Sequence, residues 1–192
     1  MNKNYFIFLL VLALISGCKS TKPVASKKTD AVASATTKPE DTPVNFSDQS
    51  TWILGYFDPD RLTHYPYSTW YDKGFDEYQP KSEVINNLLD INKNDLTIKV
   101  VMGTWCPDSR RELPRFMKVL SLWQFPVSKL TFIGVDNEKQ APVGEYVKLD
   151  IVRVPTFIIY KNNIEAGRII ENPVTSLEQD IENILTGMNT NK

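Results

Sequence analysis

One cysteine stands where the chain changes from apolar to charged, and this position is the best suited to covalent chemistry. The residues before Cys106 read Val-Val-Met-Gly-Thr-Trp. The residues after it are Pro107-Asp108-Ser109-Arg110-Arg111. This order predicts a strand that delivers a thiol to the start of a helix. The unpaired N–H groups and the dipole of a helix start favour the thiolate, which is the form that attacks disulfides and metals.

The residues just after Cys106 indicate how a thiolate could be supported. Ser109 carries a hydroxyl that can donate a hydrogen bond to the sulfur, and Arg110 and Arg111 add positive charge near the same turn. Asp108 suits the first turn of a helix, where its charge complements the dipole. We expect the arginines to lie mainly in solvent, and a catalytic role for them is the less favoured interpretation.

Two apolar runs predict the strands that hold this helix in place. Residues 96–102 and 130–135 have the length of buried strands, and the amphipathic segment 108–123 lies between them. A strand, a helix and a second strand in this order predict a parallel β-α-β unit. Pro114 falls inside the helix and predicts a kink there.

Further elements complete the pattern on both sides of this unit. Ser82 can cap the start of a helix that follows it and precedes the first strand. Residues 157–160 and 166–170, joined by a polar turn, predict an antiparallel hairpin. Residues 176–179 form a capping-box pattern that opens a last helix, and Gly187 is typical of a helix end.

Three features together resemble the thioredoxin superfamily. They are Trp105-Cys106-Pro107-Asp108, Pro114 eight residues after the cysteine, and Val154-Pro155-Thr156 before an apolar run. The resemblance covers residues 82–187. It implies a thioredoxin-like α/β fold, with a central mixed β-sheet flanked by helices on both faces. It also implies that the peptide bond before Pro155 is cis and that this proline lies beside the sulfur of Cys106, at a groove for substrates.

The chain departs from the family at the second cysteine of the Cys-x-x-Cys pair, which is Ser109 here. In a dithiol enzyme that second thiol releases the mixed disulfide formed by the first. Val100 occupies the position, six residues before the cysteine, where thioredoxins often carry a buried acid that helps to deprotonate the second thiol. Both departures predict a site that cannot release a mixed disulfide without an external thiol.

Three functions from different classes fit these residues. In monothiol exchange, Cys106 would form mixed disulfides with exported proteins or small thiols, and an external thiol would release them. A non-redox binding module would hold a peptide or an envelope partner between Trp105 and Pro155. An architectural protein would be joined to a partner or a second copy by a lasting disulfide. We prefer exchange, because a Trp-Cys pair at a helix start beside the proline motif is hard to explain without thiol chemistry.

The amino end predicts export and a lipid anchor. An apolar run after Lys3 ends in Ile-Ser-Gly-Cys18, which resembles a bacterial lipobox and predicts a signal peptide over residues 1–17. Lipidation of Cys18 would leave Cys106 as the free thiol. Residues 18–45 predict a disordered tether, since they contain almost no large apolar residue. The absence of Asp after Cys18 favours the outer membrane, with the domain facing the periplasm. The alternative is an ordinary secretory signal with an incidental cysteine.

Residues 46–80 predict an aromatic-rich extension packed on the thioredoxin-like domain, residues 81–188. We expect its rings to be largely buried; the alternative is that some form a wall near Cys106 and recognise a partner.

His64 has no second His or Cys at metal-ligand spacing, so no metal and no other cofactor is expected. The net charge of −1, from 22 basic and 23 acidic residues, gives no indication of nucleic-acid binding.

The mature chain should begin at Cys18 and carry lipid on that cysteine. The reason is the apolar run that ends in Ile-Ser-Gly-Cys. Mass spectrometry of the protein purified from membranes should find no residue before Cys18. An unmodified Cys18, or cleavage at another bond, would contradict the prediction.

Overall fold

The computed structural model describes residues 43–188. The predicted signal peptide over residues 1–17, Cys18 and the predicted tether up to residue 42 lie outside the described residues. Over residues 43–188, none of the helices combines the length and the apolar character that crossing a membrane requires.

Five strands form one mixed sheet in the spatial order β1-β3-β2-β4-β5. The strands are β1 Gly55–Phe57, β2 Leu96–Met102, β3 Leu130–Gly134, β4 Thr156–Lys161 and β5 Ile164–Ile170. Strand β2 runs parallel to β3 and antiparallel to β4. The two outer pairs, β1 with β3 and β4 with β5, are both antiparallel. The predicted β-α-β unit and the hairpin are therefore confirmed, whereas β1 was not predicted.

Four α-helices accompany the sheet, namely α1 Ser68–Glu77, α2 Ser82–Leu89, α3 Pro107–Leu122 and α4 Leu177–Thr186. Residues 43–188 also contain four short 3-10 segments, two before α1 at Gln49–Thr51 and Pro59–Thr63 and two after α3 at Val127–Lys129 and Tyr146–Leu149. The helices predicted to follow Ser82, Cys106 and Ser176 are confirmed. Ser82 is the first helical residue of α2 rather than its cap, which is Lys81.

A proline and a glycine set the contact between α1 and α3. Pro114 lies inside α3, as predicted, and is buried. A Cβ atom at Gly74 of α1 would lie only 2.5 Å from the Pro114 ring. The absence of a side chain at Gly74 therefore lets α1 approach the proline closely.

The two faces of the sheet are covered differently. One face presents Val100, its neighbours in alternation along β2, and Phe157 to a core that receives side chains from all four α-helices. The opposite face presents Val101, Ile133 and Ile158 to a smaller cluster under the 3-10 turn Tyr146–Leu149. The expectation of helices on both faces is therefore wrong for α-helices. The segment between β3 and β4 is interrupted by Pro142 and Gly144 and forms only this single turn.

The smaller cluster covers one half of its face, and the other half is polar. Strand β2 changes from buried Val101 to half-buried Lys99, whose ammonium group lies 5.7 Å from the centre of the Tyr160 ring. Tyr56 on β1 donates a hydrogen bond to Glu145 across the same face. The uncovered half thus carries polar side chains that contact one another across the sheet.

The extension is part of the sheet, because its strand β1 forms the edge beside β3. A Cβ atom at Gly134 of β3 would lie 2.0 Å from the carbonyl oxygen of Ile53, so the extension's backbone occupies the place of a side chain. Tyr67 and Tyr71 are buried in the main core. The expectation that the aromatic rings are largely buried fails for Tyr56 and Tyr65, which are 52% and 65% exposed.

A buried carboxylate, Glu178, joins the extension to the starts of α2 and α4. It accepts hydrogen bonds from the Tyr78 hydroxyl (2.8 Å), the Lys81 N–H (3.1 Å) and the Ser176 hydroxyl (2.8 Å). The capping box predicted for residues 176–179 is therefore not formed, since the Ser176 side chain makes no capping bond to the helix backbone. Asp180 instead accepts bonds from the backbone N–H groups just before α4.

The Glu178→Gln variant should lower the free energy of unfolding by about 1–3 kcal/mol at neutral pH, because buried donors lose a charged acceptor. Burial pushes the pKa of Glu178 up, but its hydrogen bonds, chiefly from Lys81 and its own N–H, outweigh burial and hold the pKa below the ordinary 4.5. The wild type's advantage should be complete above that ordinary value and disappear as pH falls through the lower folded value.

Urea denaturation of both proteins between neutral pH and about pH 3 measures this difference. Glu138→Gln, at an exposed loop position, is the control and should change stability little. A pH-independent difference between Glu178→Gln and the wild type would contradict the role given to this carboxylate.

Candidate functional site

The candidate site forms where the carboxyl end of β2 meets the amino end of β4. Val101 of β2 pairs with Thr156 of β4, which places the segments beyond these residues side by side. Cys106 is the N-terminal cap residue of α3, with extended backbone angles, and its thiol donates a 3.3 Å hydrogen bond to the Val154 carbonyl. The Val154-Pro155 peptide bond is cis, as expected. The structure thus brings together Cys106 and Pro155, which are separated by 48 intervening residues.

The Cys106 thiol is largely shielded from solvent. The residue is 7% exposed and packs in the smaller cluster with Val101, Ile133 and Val154. Its hydrogen bond to the Val154 carbonyl is available to the protonated thiol alone, because a carbonyl oxygen accepts and cannot donate. Ionisation or attack at the sulfur therefore has to replace this contact with another partner.

Trp105 is fixed by its indole N–H, which donates a 2.9 Å hydrogen bond to the Val135 carbonyl beyond the end of β3. The ring lies against Gly103, where a Cβ atom would come within 2.5 Å of the indole nitrogen. Trp52 of the extension lies on another side, with ring centres 6.4 Å apart. The half-buried indole is therefore held in one position beside Cys106 rather than left free at the surface.

Ser109 does not make the hydrogen bond expected from the sequence. Its side chain is fully buried, and its oxygen accepts a 3.3 Å hydrogen bond from the Gly103 N–H. In this structure, where the Cys106 thiol donates to the Val154 carbonyl, none of the hydrogen bonds within residues 43–188 joins Ser109 to the sulfur, and support of a thiolate by the Ser109 hydroxyl stays a prediction. Ser109 instead ties the first turn of α3 back to the loop that leaves β2.

Arg110 is also placed differently from the expectation of a solvent-exposed side chain. Its Nη1 donates 2.8 Å hydrogen bonds to the carbonyls of both Thr104 and Trp105. The guanidinium lies over the Phe46 ring of the extension, 4.9 Å from its centre. Burial lowers the pKa of Arg110, and a negative charge on the Cys106 sulfur would oppose that shift. The residue remains a cation that braces the loop before the cysteine.

The other charged residues of the segment are paired at the surface. Asp108 forms a 2.7 Å ion pair with Arg111, which confirms the exposed position expected for Arg111. Arg111 also contacts Asn172 after β5. On the opposite side of the cysteine, Arg153 forms a 2.8 Å ion pair with Glu171. These pairs leave the immediate surroundings of the sulfur close to electrically neutral apart from Arg110.

Two further predicted site residues, Pro107 and Thr156, shape the backbone next to the site. Pro107 is the first residue of α3 and is exposed, which suits a residue without an N–H group. The hydroxyl of Thr156 donates a 2.6 Å hydrogen bond to the Arg153 carbonyl and closes the loop that contains the cis-proline.

Val100, six residues before the cysteine, is buried in the main core. A buried carboxylate is nevertheless present on α3, where Glu112 is 3% exposed and accepts bonds from Arg111 (2.6 Å) and Arg115 (3.1 Å). Its two arginines satisfy this charge. Sequence reasoning missed Glu112, although two flanking arginines in one helix were a signal for it.

Thr104 and Phe46 are site residues that the sequence did not reveal. The Thr104 hydroxyl donates a 3.0 Å hydrogen bond to the Thr51 carbonyl, and Phe46 supports Arg110. Nothing in the spacing of residues 46–53 indicated that this segment would cross over the loop before Cys106. Trp52 and Phe46 thus lie against Trp105 and Arg110, two residues close to Cys106 in the chain, and the alternative that rings of the extension recognise a partner stays a prediction.

No metal centre is formed by the described residues. Across residues 43–188 the structure contains no group of three His, Cys, Asp or Glu side chains able to hold a metal ion. His64 is exposed and contacts Asp60 on the preceding 3-10 turn.

No family model matches the chain, and no curated protein matches it. Solved structures give distant likenesses. A Pseudomonas aeruginosa protein of unknown function is 17% identical, with a TM-score of 0.39, over 63% of this chain and 72% of that one. An HIV epitope scaffold is also 17% identical, with a TM-score of 0.36, over 62% of this chain and 72% of that one. Likeness at this level supports no inference about function.

The Gly103→Ala variant should displace the Trp105 ring, because the new methyl group would lie about 2.5 Å from the indole nitrogen. Overpacking of this kind costs about 1–3 kcal/mol, and the bond to Val135 should be lost. We expect a lower melting temperature and faster modification of Cys106 by iodoacetamide. Gly144→Ala is the control, since no heavy atom lies within 4 Å of a Cβ there. Equal behaviour of the two variants would contradict the role given to Gly103.

Proposed function

We propose that this chain is a thioredoxin-like protein of the bacterial cell envelope that performs monothiol-disulfide exchange through Cys106. The observation that carries the proposal is the 3.3 Å contact between the Cys106 sulfur and the carbonyl that precedes the cis-proline Pro155. A thiol at the amino end of a helix, facing a cis-proline loop across the end of a mixed sheet, is the arrangement that the thioredoxin resemblance implies.

The reaction has one covalent step in each direction. The Cys106 thiol first loses its proton to solvent, and the thiolate then attacks one sulfur of a disulfide R–S–S–R′. The bond between Cys106 and R–S forms while the S–S bond breaks, and R′–S leaves as a thiolate. No net oxidant is needed, because the disulfide bond is only transferred. A second, external thiol releases R–S by the same step in reverse.

Ser109 explains why release must come from outside. It occupies the place of the resolving cysteine, and its oxygen is buried and bonded to the Gly103 N–H. A hydroxyl does not attack a disulfide as a thiolate does, so the mixed disulfide has no internal exit. Exported proteins or small thiols are the partners that fit this chemistry, and a lipid anchor at Cys18 would hold the domain at the outer membrane, facing the periplasm.

The burial of Cys106 favours a second candidate, a non-redox binding module. A sulfur that is 7% exposed and bonded to a backbone carbonyl contributes to packing as well as to reactivity. In that case the groove between Trp105 and Pro155 would hold a peptide without covalent chemistry. The following experiment also tests the third candidate, an architectural protein joined to its partner by a lasting disulfide.

Wild-type protein should accumulate covalent mixed disulfides in the cell envelope, because it lacks a resolving thiol. Non-reducing gels of envelope extracts should show adducts that are absent from the Cys106→Ala variant and are released within minutes by added small thiol. Adducts that contain a second copy alone would instead favour the architectural role. Partners that co-purify unchanged with Cys106→Ala would favour the binding module and contradict exchange.

The Ser109→Cys variant provides the matched gain of function. Purified wild type should not sustain insulin reduction, whereas Ser109→Cys should do so weakly, since Val100 supplies no nearby base. Efficient turnover by the wild type would show that Ser109 does not limit release.

A further inference from the structure

Arg110 is the cation best placed to act on chemistry at Cys106. The two residues are four apart at the start of α3, and the Arg110 N–H donates a 3.1 Å hydrogen bond to the Cys106 carbonyl. The Arg110 Nη1 group also donates a 2.8 Å hydrogen bond to the carbonyl of Trp105, the residue joined directly to Cys106. The neighbouring arginines are committed elsewhere, Arg111 to Asp108 and Arg153 to Glu171.

The hydrogen bonds of Arg110 leave part of its guanidinium available. Both N–H groups of Nη1 are used by the carbonyls of Thr104 and Trp105. The N–H groups on Nε and Nη2 take part in none of the hydrogen bonds or ion pairs formed within residues 43–188. Three donors in a planar fork suit a carboxylate, which can accept two of them at once.

The extension fixes the position of this charge. The Phe46 ring lies under the Arg110 guanidinium at 4.9 Å and packs against Tyr67 and Trp70, with ring centres 6.2 Å and 6.4 Å away. The Trp52 indole N–H donates a 3.0 Å hydrogen bond to the Phe46 carbonyl. Phe46 is therefore itself held on several sides, and Arg110 cannot turn toward solvent without losing this contact.

From this arrangement we infer that Arg110, held by Phe46, selects disulfides that carry a carboxylate close to the sulfur. The inference rests on the proposed exchange at Cys106 and names its substrate class. The carboxylate pairs with the free N–H groups of Arg110 while the Cys106 thiolate attacks the neighbouring sulfur. The Cys106–S bond forms, the old S–S bond breaks, and the other half of the disulfide leaves as a thiolate.

Three small aliphatic disulfides of similar size test the inference on the full chain purified in detergent. They are dithiodipropionate (anionic), hydroxyethyl disulfide (neutral) and cystamine (cationic). The measured quantity is the second-order rate of Cys106 modification in each variant divided by the wild-type rate, which cancels the intrinsic reactivity of each reagent. Arg110→Gln should reduce this ratio for dithiodipropionate about three- to tenfold relative to that for cystamine, as expected for one lost charge interaction.

Two further variants separate charge from structure. Arg110→Lys keeps the cation and should retain most of the selectivity. Lys118→Gln is the matched control, because Lys118 also lies over an aromatic ring of the extension, 4.7 Å from the centre of Phe75, but about 12 Å beyond Arg110 along the helix. Its ratios should be equal for all three reagents.

The outcomes distinguish this inference from the function on which it rests. If wild-type Cys106 reacts with none of the reagents, both proposals fall. If it reacts with all three but Arg110→Gln changes every ratio equally, exchange stands and the selectivity of Arg110 is overturned. Should Arg110→Gln not fold, Phe46→Leu decides the question, since loss of the ring should weaken selectivity in the same direction, and unchanged ratios would overturn the inference.

Discussion

The pairing of β2 on both of its edges is the constraint on which the site depends. Because β2 runs parallel to β3 and antiparallel to β4, the carboxyl ends of β2 and β3 and the amino end of β4 lie at the same end of the strands. Three loops converge there, and they contribute Cys106, the Val135 carbonyl and the cis-proline Pro155. None of these groups is near another in sequence, so the sheet register alone sets their distances.

The unequal covering of the sheet gives the sulfur its surroundings. Four α-helices bury one face, whereas a single 3-10 turn and the cis-proline loop cover the region where Cys106 packs. Cys106 thus belongs to the smaller of the two buried clusters. Small clusters open locally at lower free energy than a main core, and such opening would expose the sulfur for the proposed exchange.

Much of this architecture could be predicted from the sequence, because strand length and helix periodicity report burial directly. The strand at residues 96–102, the helix after Cys106 and the hairpin all followed from apolar spacing. The cis bond at Pro155 followed from the family resemblance. The role of Ser109, the contact of Arg110 with Phe46, and strand β1 could not be predicted. Strand β1 and the Arg110 contact depend on long-range contacts, such as the pairing of Gly55 with Gly134, that have no local pattern. The bond of Ser109 to Gly103 is local, but it depends on how the loop after β2 turns.

The close approach at Gly134 limits how this chain can be shortened or recombined with another. Its α-carbon faces the Ile53 carbonyl, where a Cβ atom would lie only 2.0 Å away, so the two segments must change together. A shortened chain beginning at Ser82 would expose β3 as an open edge strand, a surface on which other chains can pair. A recombination junction in the amino-terminal part of the chain would therefore keep β3 covered only if it lay before Ile53.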